Sequence, residues 1–259
     1  MNAENDSTSI VSPGWPTHWR EGAFKGSSVA LLVFGLIGLA VACAVLALIA
    51  YIVVDPSLIS VLAHSPKKFP ITAVLLVQLA FELPPIFVLM AMLPRVSLYS
   101  WEELGLRVPS ARTLLYVIGG FAAAIFVGDG GSALVEHLSH HPHHMQDVAK
   151  MFESIRHTPV LIAFILYGVV VAPIAEEMIF RGFLFNLGLR YGNFWVGAIF
   201  SSLLFGAAHG DLELFLPLTL VGFVLATVYY RSRNLVASML THASFNAIAF
   251  TALSTLRTH

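Results

Sequence analysis

The sequence predicts an all-α protein that crosses a membrane as a polytopic bundle of about seven or eight helices. Of its 259 residues, 57% are hydrophobic and only 11% are charged. A soluble domain carries about a quarter charged residues, so this composition indicates a lipid environment. In lipid only helices and closed barrels satisfy all backbone groups, and the apolar runs here are too long and too continuous for barrel strands.

The first apolar run, at 27–54, contains no charged side chain. A helix needs about 20 apolar residues to cross the hydrocarbon core, so this run can span with tilt to spare. A signal peptide has a shorter apolar core followed closely by a cleavage site, so we expect the span to be retained. Residues 1–26 are interpreted as a polar N-terminal segment, and residues 27–259 as the transmembrane domain.

Further apolar runs follow at 71–94, 113–135, 158–175, 191–208, 214–230 and 235–256. A short stretch at 182–189 extends the run at 158–175 beyond a polar patch at 176–181. Pro173 precedes this patch. Because proline lacks the N–H that a helix interior needs, we expect the helix to kink or restart there.

Basic residues in the connections indicate an orientation. With seven spans, eight Lys and Arg side chains lie on the N-terminal side and five on the other side. The positive-inside rule then favours a cytoplasmic N-terminus, and an eighth span would move the C-terminus to the opposite face. The compact length leads us to expect a bacterial plasma membrane, and the net charge of −1 gives no indication of a nucleic-acid partner.

The numbers and positions of cysteine and histidine limit which disulfides and metal sites the chain can form. The single cysteine excludes an intrachain disulfide and a cysteine zinc site. A histidine-rich tract at 136–146, EHLSHHPHHMQ, could bind a metal, but Pro142 favours a loop. We interpret the tract as an exposed polar connection.

Ionisable side chains inside apolar runs are functional candidates, because each costs about 2.5–3.5 kcal/mol to insert. Glu82 lies beside a Pro-Pro pair and Asp129 lies in a glycine-rich segment, so both are interpreted as having local structural roles. The remaining candidates fall in three apolar segments and are Glu176, Glu177, Arg181, His209 and His242.

The first of these segments carries two neighbouring acids. On a helix Glu177 and Arg181 are i, i+4 neighbours, with the acid on the favourable N-terminal side. Glu176 is turned away from that pair and has no such partner. We therefore expect Glu177 to remain ionised against Arg181, while desolvation makes Glu176 suitable as a general base.

The histidines allow two kinds of water activation. Glu176, His209 and His242 could hold a divalent metal, most simply zinc, in a site with an open position. The same groups could instead bind and deprotonate a water without a metal, with Asn246 as a donor to the oxyanion. His242 and Asn246 are i, i+4 neighbours on one helix face.

Three motifs follow one another on successive predicted helices: Glu-Glu-x-x-x-Arg at 176–181, Phe-x-x-x-His at 205–209 and His-x-x-x-Asn at 242–246. In this order they resemble the CAAX-protease and bacteriocin-processing family, whose relatives include the type II CAAX prenyl endopeptidase. The segment WEELGLR at 101–107 is similar to one often found upstream in bacterial members. The resemblance places a catalytic core at about 101–250.

What the resemblance implies is an intramembrane endopeptidase that cleaves membrane-associated peptides or proteins at the bilayer. It is called a metallopeptidase family by custom, and the motifs do not decide whether metal is needed. The resemblance implies that Glu176 activates water and that Asn246 contacts the oxyanion. It also implies that Glu177 and Arg181 support the base, and that His209 and His242 contact the water or metal.

Two other functions fit the same residues. A proton-coupled transporter could use Glu176, His209 and His242 as a titrating path, although no internal repeat is evident. A catalytically silent partner or chaperone could retain a protease fold. The motifs of other intramembrane proteases, such as His-Glu-x-x-His and Gly-x-Ser-x-Gly, are not found in the sequence.

Overall fold

A computed structural model of the protein describes residues 18–64, 69–139, 152 and 155–257, and over these residues the chain forms eight helices and no strand. The predicted all-α class and the predicted number of helical segments are confirmed. The helices are α1 (Gly26–Val54), α2 (Ser57–His64), α3 (Ile71–Ser97), α4 (Ala111–Ser139), α5 (Thr158–Tyr191), α6 (Phe194–Ala208), α7 (Leu212–Ser232) and α8 (Leu235–Arg257).

Six of these helices are long and apolar enough to cross a membrane, namely α1, α3, α4, α5, α7 and α8. Their outward faces are apolar: Leu31 is 77% exposed, Phe34 74% and Phe126 80%. Such faces are stable in lipid and not in water, so the protein is integral to a membrane. The predicted run at 191–208 becomes a shorter helix, α6, of 15 residues. The histidine-rich tract beyond Ser139 lies outside the described residues.

The helices pack as a bundle in which α7 lies against both α4 and α6, and α8 lies against α4, α5 and α7. Helix α1 packs along α3, and α3 in turn contacts α5. The segments that carry the three motifs are therefore brought together by α5, α6 and α8. Helix α2 was not among the predicted runs, because its eight residues are too few to span.

The connection before α4 holds the start of α8 in place. Its Gly105 has φ +96°, and its carbonyl accepts a hydrogen bond from the N–H of Leu235 at 2.7 Å. A side chain at Gly105 would meet the carbonyl oxygen of Arg233 at 3.0 Å, so only glycine fits. The adjacent Leu104 is fully buried, and its carbonyl accepts from the hydroxyl of Tyr229 at 2.6 Å. Residues 101–107 thus have a structural role at this end of the bundle.

Helix α5 shows how the chain accommodates Pro173. The α-helical pattern restarts at Ala172, as predicted, but the helix does not break, because a π-helical stretch, Tyr167–Val171, precedes it. In this stretch the N–H of Ala172 reaches the carbonyl of Tyr167, five residues back. A second π-helical stretch, Met178–Phe185, follows the two acids. Such π-helical turns often occur at functional sites.

Two adjacent glycines on α4 give a matched test of this packing. A Cβ at Gly120 would collide with the Val228 side chain on α7, whereas a Cβ at Gly119 would meet nothing within 4 Å. We expect Gly120→Leu to lower the free energy of unfolding by about 1–3 kcal/mol through overpacking. Gly119→Leu should leave it nearly unchanged. SDS-induced unfolding in mixed micelles measures both, and equal effects would contradict this helix pairing.

Candidate active site

The centre of the site is a buried ion pair on α5. Nη1 of Arg181 donates to Oε1 of Glu177 at 2.7 Å, and both side chains are 0% exposed. The i, i+4 spacing in the sequence predicted this contact, and the structure contains it. A guanidinium is always charged in proteins, so its burial in an apolar span requires an anion beside it.

Two further polar atoms of the pair are bonded to other helices, while Nε of Arg181 is buried without a hydrogen-bond partner. Oε2 of Glu177 accepts from the hydroxyl of Ser238 on α8 at 2.6 Å. Nη2 of Arg181 donates to the carbonyl of Gly222 on α7 at 2.9 Å. The guanidinium carbon also lies 4.7 Å from the ring centroid of Phe205 on α6, a cation–π contact. One ion pair therefore fixes α5 against three neighbouring helices.

His242 is oriented by the same carboxylate. Its Nδ1 lies 3.1 Å from Oε1 of Glu177, and because a carboxylate only accepts, Nδ1 carries the proton. Its Nε2 then points to Oε2 of Glu176 at 3.8 Å, which is too long for a direct hydrogen bond. That oxygen of Glu176 is buried and has no hydrogen-bond partner. Glu177 thus orients the histidine, and Glu176 presents an unpartnered oxygen to it.

His209 lies at the C-terminal end of α6. Its Nδ1 donates to the carbonyl of Phe205 at 2.8 Å, so Nε2 is left as an acceptor in the neutral ring. With 15 residues, α6 is about 22 Å long and the hydrocarbon core is about 30 Å thick. A helix of this length that begins at one interface ends inside the membrane, so His209 can be within reach of the other site residues.

Phe205 separates the two histidines. Its ring makes edge contacts with His209 at 5.0 Å and with His242 at 5.5 Å between ring centroids, and it is 1% exposed. The structure therefore places both imidazoles around one aromatic ring and does not bond them to each other. The motif Phe-x-x-x-His predicted a histidine in the site, but it did not indicate that the phenylalanine ring would contact both histidines.

Asn246 is bonded to α5 through the π-helical stretch. In that stretch the carbonyl of Gly168 would pair with the residue five positions on, which is Pro173 and has no N–H. Nδ2 of Asn246 donates to this carbonyl at 2.8 Å. One of its two amide hydrogens is thereby used, and the second is available to another acceptor. Pro173 thus leaves the carbonyl of Gly168 without a backbone donor, and Asn246 supplies the missing hydrogen bond.

Sequence reasoning missed the direct role of α3. Oε1 of Glu82 accepts from the hydroxyl of Tyr167 at 2.5 Å and from Nε2 of Gln78 at 2.8 Å. Through Tyr167, Glu82 is bonded to the π-helical stretch of α5 that also bonds Asn246, and it therefore joins the polar cluster of the site. The sequence predicted a local structural role for Glu82, but it did not indicate the partner on α5.

Ser238 was also missed, although it precedes His242 by four residues and therefore shares its helix face. Asp129, the other acid given a structural interpretation, is exposed on α4 and does not join the cluster.

The metal ligands predicted from the sequence are Glu176, His209 and His242. Among residues 18–64, 69–139, 152 and 155–257, no group of three or more His, Cys, Asp or Glu side chains is arranged to hold a metal ion. The Phe205 ring contacts both His209 and His242, while Nε2 of His242 lies 3.8 Å from Oε2 of Glu176. Nδ1 of each histidine is bonded, so Nε2 is the atom through which either ring would bind a metal. The three side chains do not converge as they are placed, so no reaction step is derived through a metal.

Comparison with known proteins gives a match in the same part of the chain. The family model described as Type II CAAX prenyl endopeptidase Rce1-like matches residues 158–248, about a third of the chain. The predicted family resemblance is confirmed. The CAAX endopeptidase match contains all three motifs of the site, while the segment at 101–107 lies outside it.

One of two similar curated proteins is named as a membrane peptidase. “Putative membrane peptidase YdiL” of Bacillus subtilis is 27% identical over 134 residues, which are 52% of this chain and 54% of YdiL. Protein YxdF of Lactococcus lactis is 28% identical over 109 residues, 42% of this chain and 59% of YxdF. The matches thus span about half the length of these relatives. No solved structure matches the chain.

The buried pair gives a second testable prediction. Arg181→Met leaves Glu177 as an uncompensated buried charge, so we expect a loss of about 3–5 kcal/mol in the free energy of unfolding. Adding Glu177→Gln removes that charge and should recover part of the loss. SDS-induced unfolding of the single and double variants measures the recovery. A double variant no more stable than the single one would argue against this ion pair.

Proposed function

We propose that the protein is an intramembrane endopeptidase that hydrolyses peptide bonds of membrane-associated substrates with a water activated by Glu176. The observation that carries this proposal is the unpartnered Oε2 of Glu176, which faces Nε2 of His242 across 3.8 Å. A polar contact of this length suits a bridging water, which would be about 2.8 Å from each atom. The family match supports the same class of reaction.

In the proposed reaction Glu176 removes a proton from this water as its oxygen attacks the scissile carbonyl carbon. His242 keeps the water in place, and its orientation is set by the bond from Nδ1 to Glu177. The ion pair with Arg181 keeps Glu177 an acceptor, so the histidine proton stays on Nδ1. Glu177 and Arg181 are thus positioning residues, and Glu176 is the general base.

The negative charge that develops on the carbonyl oxygen needs a hydrogen-bond donor. Asn246 has a second amide hydrogen that its bond to Gly168 does not use, and we assign it to the oxyanion. His209 presents Nε2 as an acceptor and is assigned to the water or to the departing amine. Collapse of the intermediate breaks the C–N bond, and Glu176 returns its proton to the amine.

The substrate is proposed to be a membrane-associated peptide or protein segment, because Glu176, His242 and Asn246 lie in helices long and apolar enough to span a membrane. A bacterial plasma membrane and a cytoplasmic N-terminus remain predictions from the sequence. A zinc-dependent reaction would require Glu176 and the histidines to move together. The silent partner and the transporter remain the alternatives, and each predicts no peptide cleavage.

The first test is peptide cleavage by the purified protein in liposomes, read by mass spectrometry over a diverse set of membrane peptides. Glu176→Gln removes the base without changing its size, so we expect cleavage to fall by at least about 100-fold. His242→Ala should fall by a similar amount. Glu136→Gln, an exposed acid at the end of α4, is the control and should retain activity.

A chelator arm in the same experiment tests the metal. Because the protein groups suffice in the proposed mechanism, we expect full activity after treatment with a strong zinc chelator. Loss of activity that added Zn²⁺ restores would contradict the metal-independent reaction. Cleavage that survives Glu176→Gln would exclude the proposed base.

Asn246 allows the oxyanion role to be separated from its contact with α5. If it stabilises the oxyanion, Asn246→Ala should reduce kcat by about 10²–10³-fold with a smaller change in KM. Gly168 contributes only a carbonyl, so that contact is predicted to affect stability. Steady-state kinetics and SDS-induced unfolding on one preparation distinguish the two. A variant that loses stability but keeps kcat would leave Asn246 with a structural role alone.

A further inference from the structure

Glu82 has one carboxylate oxygen that the protein does not satisfy. Oε1 accepts two hydrogen bonds, from Tyr167 and Gln78, whereas Oε2 is buried and has no hydrogen-bond partner. Glu82 lies near the middle of α3, which is a 27-residue apolar helix. A buried carboxylate oxygen without a donor is costly in apolar surroundings, so a group that binds to it gains free energy.

The charges around Glu82 are unbalanced. Three acids belong to the polar cluster, Glu82, Glu176 and Glu177, and Arg181 is bonded to the last of them. In the part of the chain that the structure describes, no Lys or Arg side chain forms an ion pair with Glu82 or Glu176. Both neighbours that donate to Glu82 are uncharged. The cluster therefore has an excess of acidic groups that a cation can complement.

Glu82 is joined to the proposed catalytic residues through consecutive residues of α5. Tyr167 bonds Glu82, and the next residue, Gly168, bonds Asn246. Glu82 and Asn246 are thus bonded to adjacent residues of the helix that carries Glu176. A polypeptide whose scissile carbonyl lies between Glu176 and Asn246 would thus bring its adjacent residues towards Glu82.

We propose that Glu82 is a specificity-determining residue that binds a Lys or Arg side chain of the substrate near the scissile bond. The inference rests on the proposed function and names the substrate class: membrane-associated segments with a basic residue inside an otherwise apolar sequence. Ammonium and guanidinium groups donate hydrogen bonds and carry the missing charge, so they satisfy Oε2 better than a neutral donor does. The hydroxyl of Tyr167 positions the carboxylate for this contact.

The test uses binding, so it does not depend on catalysis. The probes are fluorescein-labelled peptides of about 20 Leu and Ala residues with one central lysine, and a twin with norleucine in its place. Binding is measured to the full chain carrying Glu176→Gln, in detergent, with and without Glu82→Gln. Gln78→Leu is the matched control, because it removes a hydrogen bond to the same carboxylate but keeps the charge.

We expect the Glu176→Gln protein to prefer the lysine peptide by at least about 30-fold, the scale of a buried charge pair. Glu82→Gln should reduce this ratio to near one, while Gln78→Leu should retain most of it. If Glu82 were only structural, both peptides would weaken equally and the ratio would persist, which would overturn the proposal.

A ratio near one before any change at Glu82 would also overturn it, and this measurement does not require the Glu82→Gln variant to fold. A second readout is cleavage of lysine- and norleucine-substituted versions of one cleaved peptide by the unmodified protein. Lysine selectivity in binding without cleavage of any peptide would support the Glu82 site while rejecting the endopeptidase. Cleavage without lysine preference would support the endopeptidase while rejecting the Glu82 site.

Discussion

The burial of Arg181 is the constraint on which the site depends. A guanidinium cannot lose its charge in a protein, and at 0% exposure it has no water to solvate it. Glu177 supplies the anion, Nη2 of Arg181 donates to Gly222 on α7, and Oε2 of Glu177 accepts from Ser238 on α8. The polar contacts of this ion pair thus hold the helices that carry the histidines. In lipid all helix faces can be apolar, so apolar packing alone selects poorly which faces come together.

Backbone satisfaction imposes the second constraint. Proline in a span leaves a carbonyl without a donor, and lipid cannot replace it. The π-helical stretch of α5 moves that carbonyl to Gly168, where Asn246 bonds it. The same stretch presents Tyr167 to Glu82 on the other side. An irregular turn just before the two acids therefore connects α3 and α8 to the helix that bears the proposed base.

Much of this could be predicted from the sequence, because the decisive patterns are local. The apolar runs predicted the helices, and the i, i+4 spacing predicted the Glu177–Arg181 pair. The remainder depends on how helices rotate about their axes, which no local pattern encodes in a uniformly apolar bundle. Phe205 between the histidines, and Glu82 beside α5, are contacts of that kind. The predicted metal ligands were chosen by residue type, and how the helices place them relative to one another could not be predicted.

The positions of the polar groups along their helices help to distinguish a binding site from the proton path of a transporter. A proton path requires ionisable groups spaced along the membrane normal, each within reach of the next. Here Glu82 and Glu176 lie near the middle of their helices, and α6 is too short to carry His209 to the opposite interface if it begins at one. Glu177 and Arg181 are sealed from solvent and bonded at fixed distances, which suits an orienting role and not a relay. The two carboxylate oxygens without a hydrogen-bond partner, on Glu82 and Glu176, favour a site that binds a further group over a path that conducts protons.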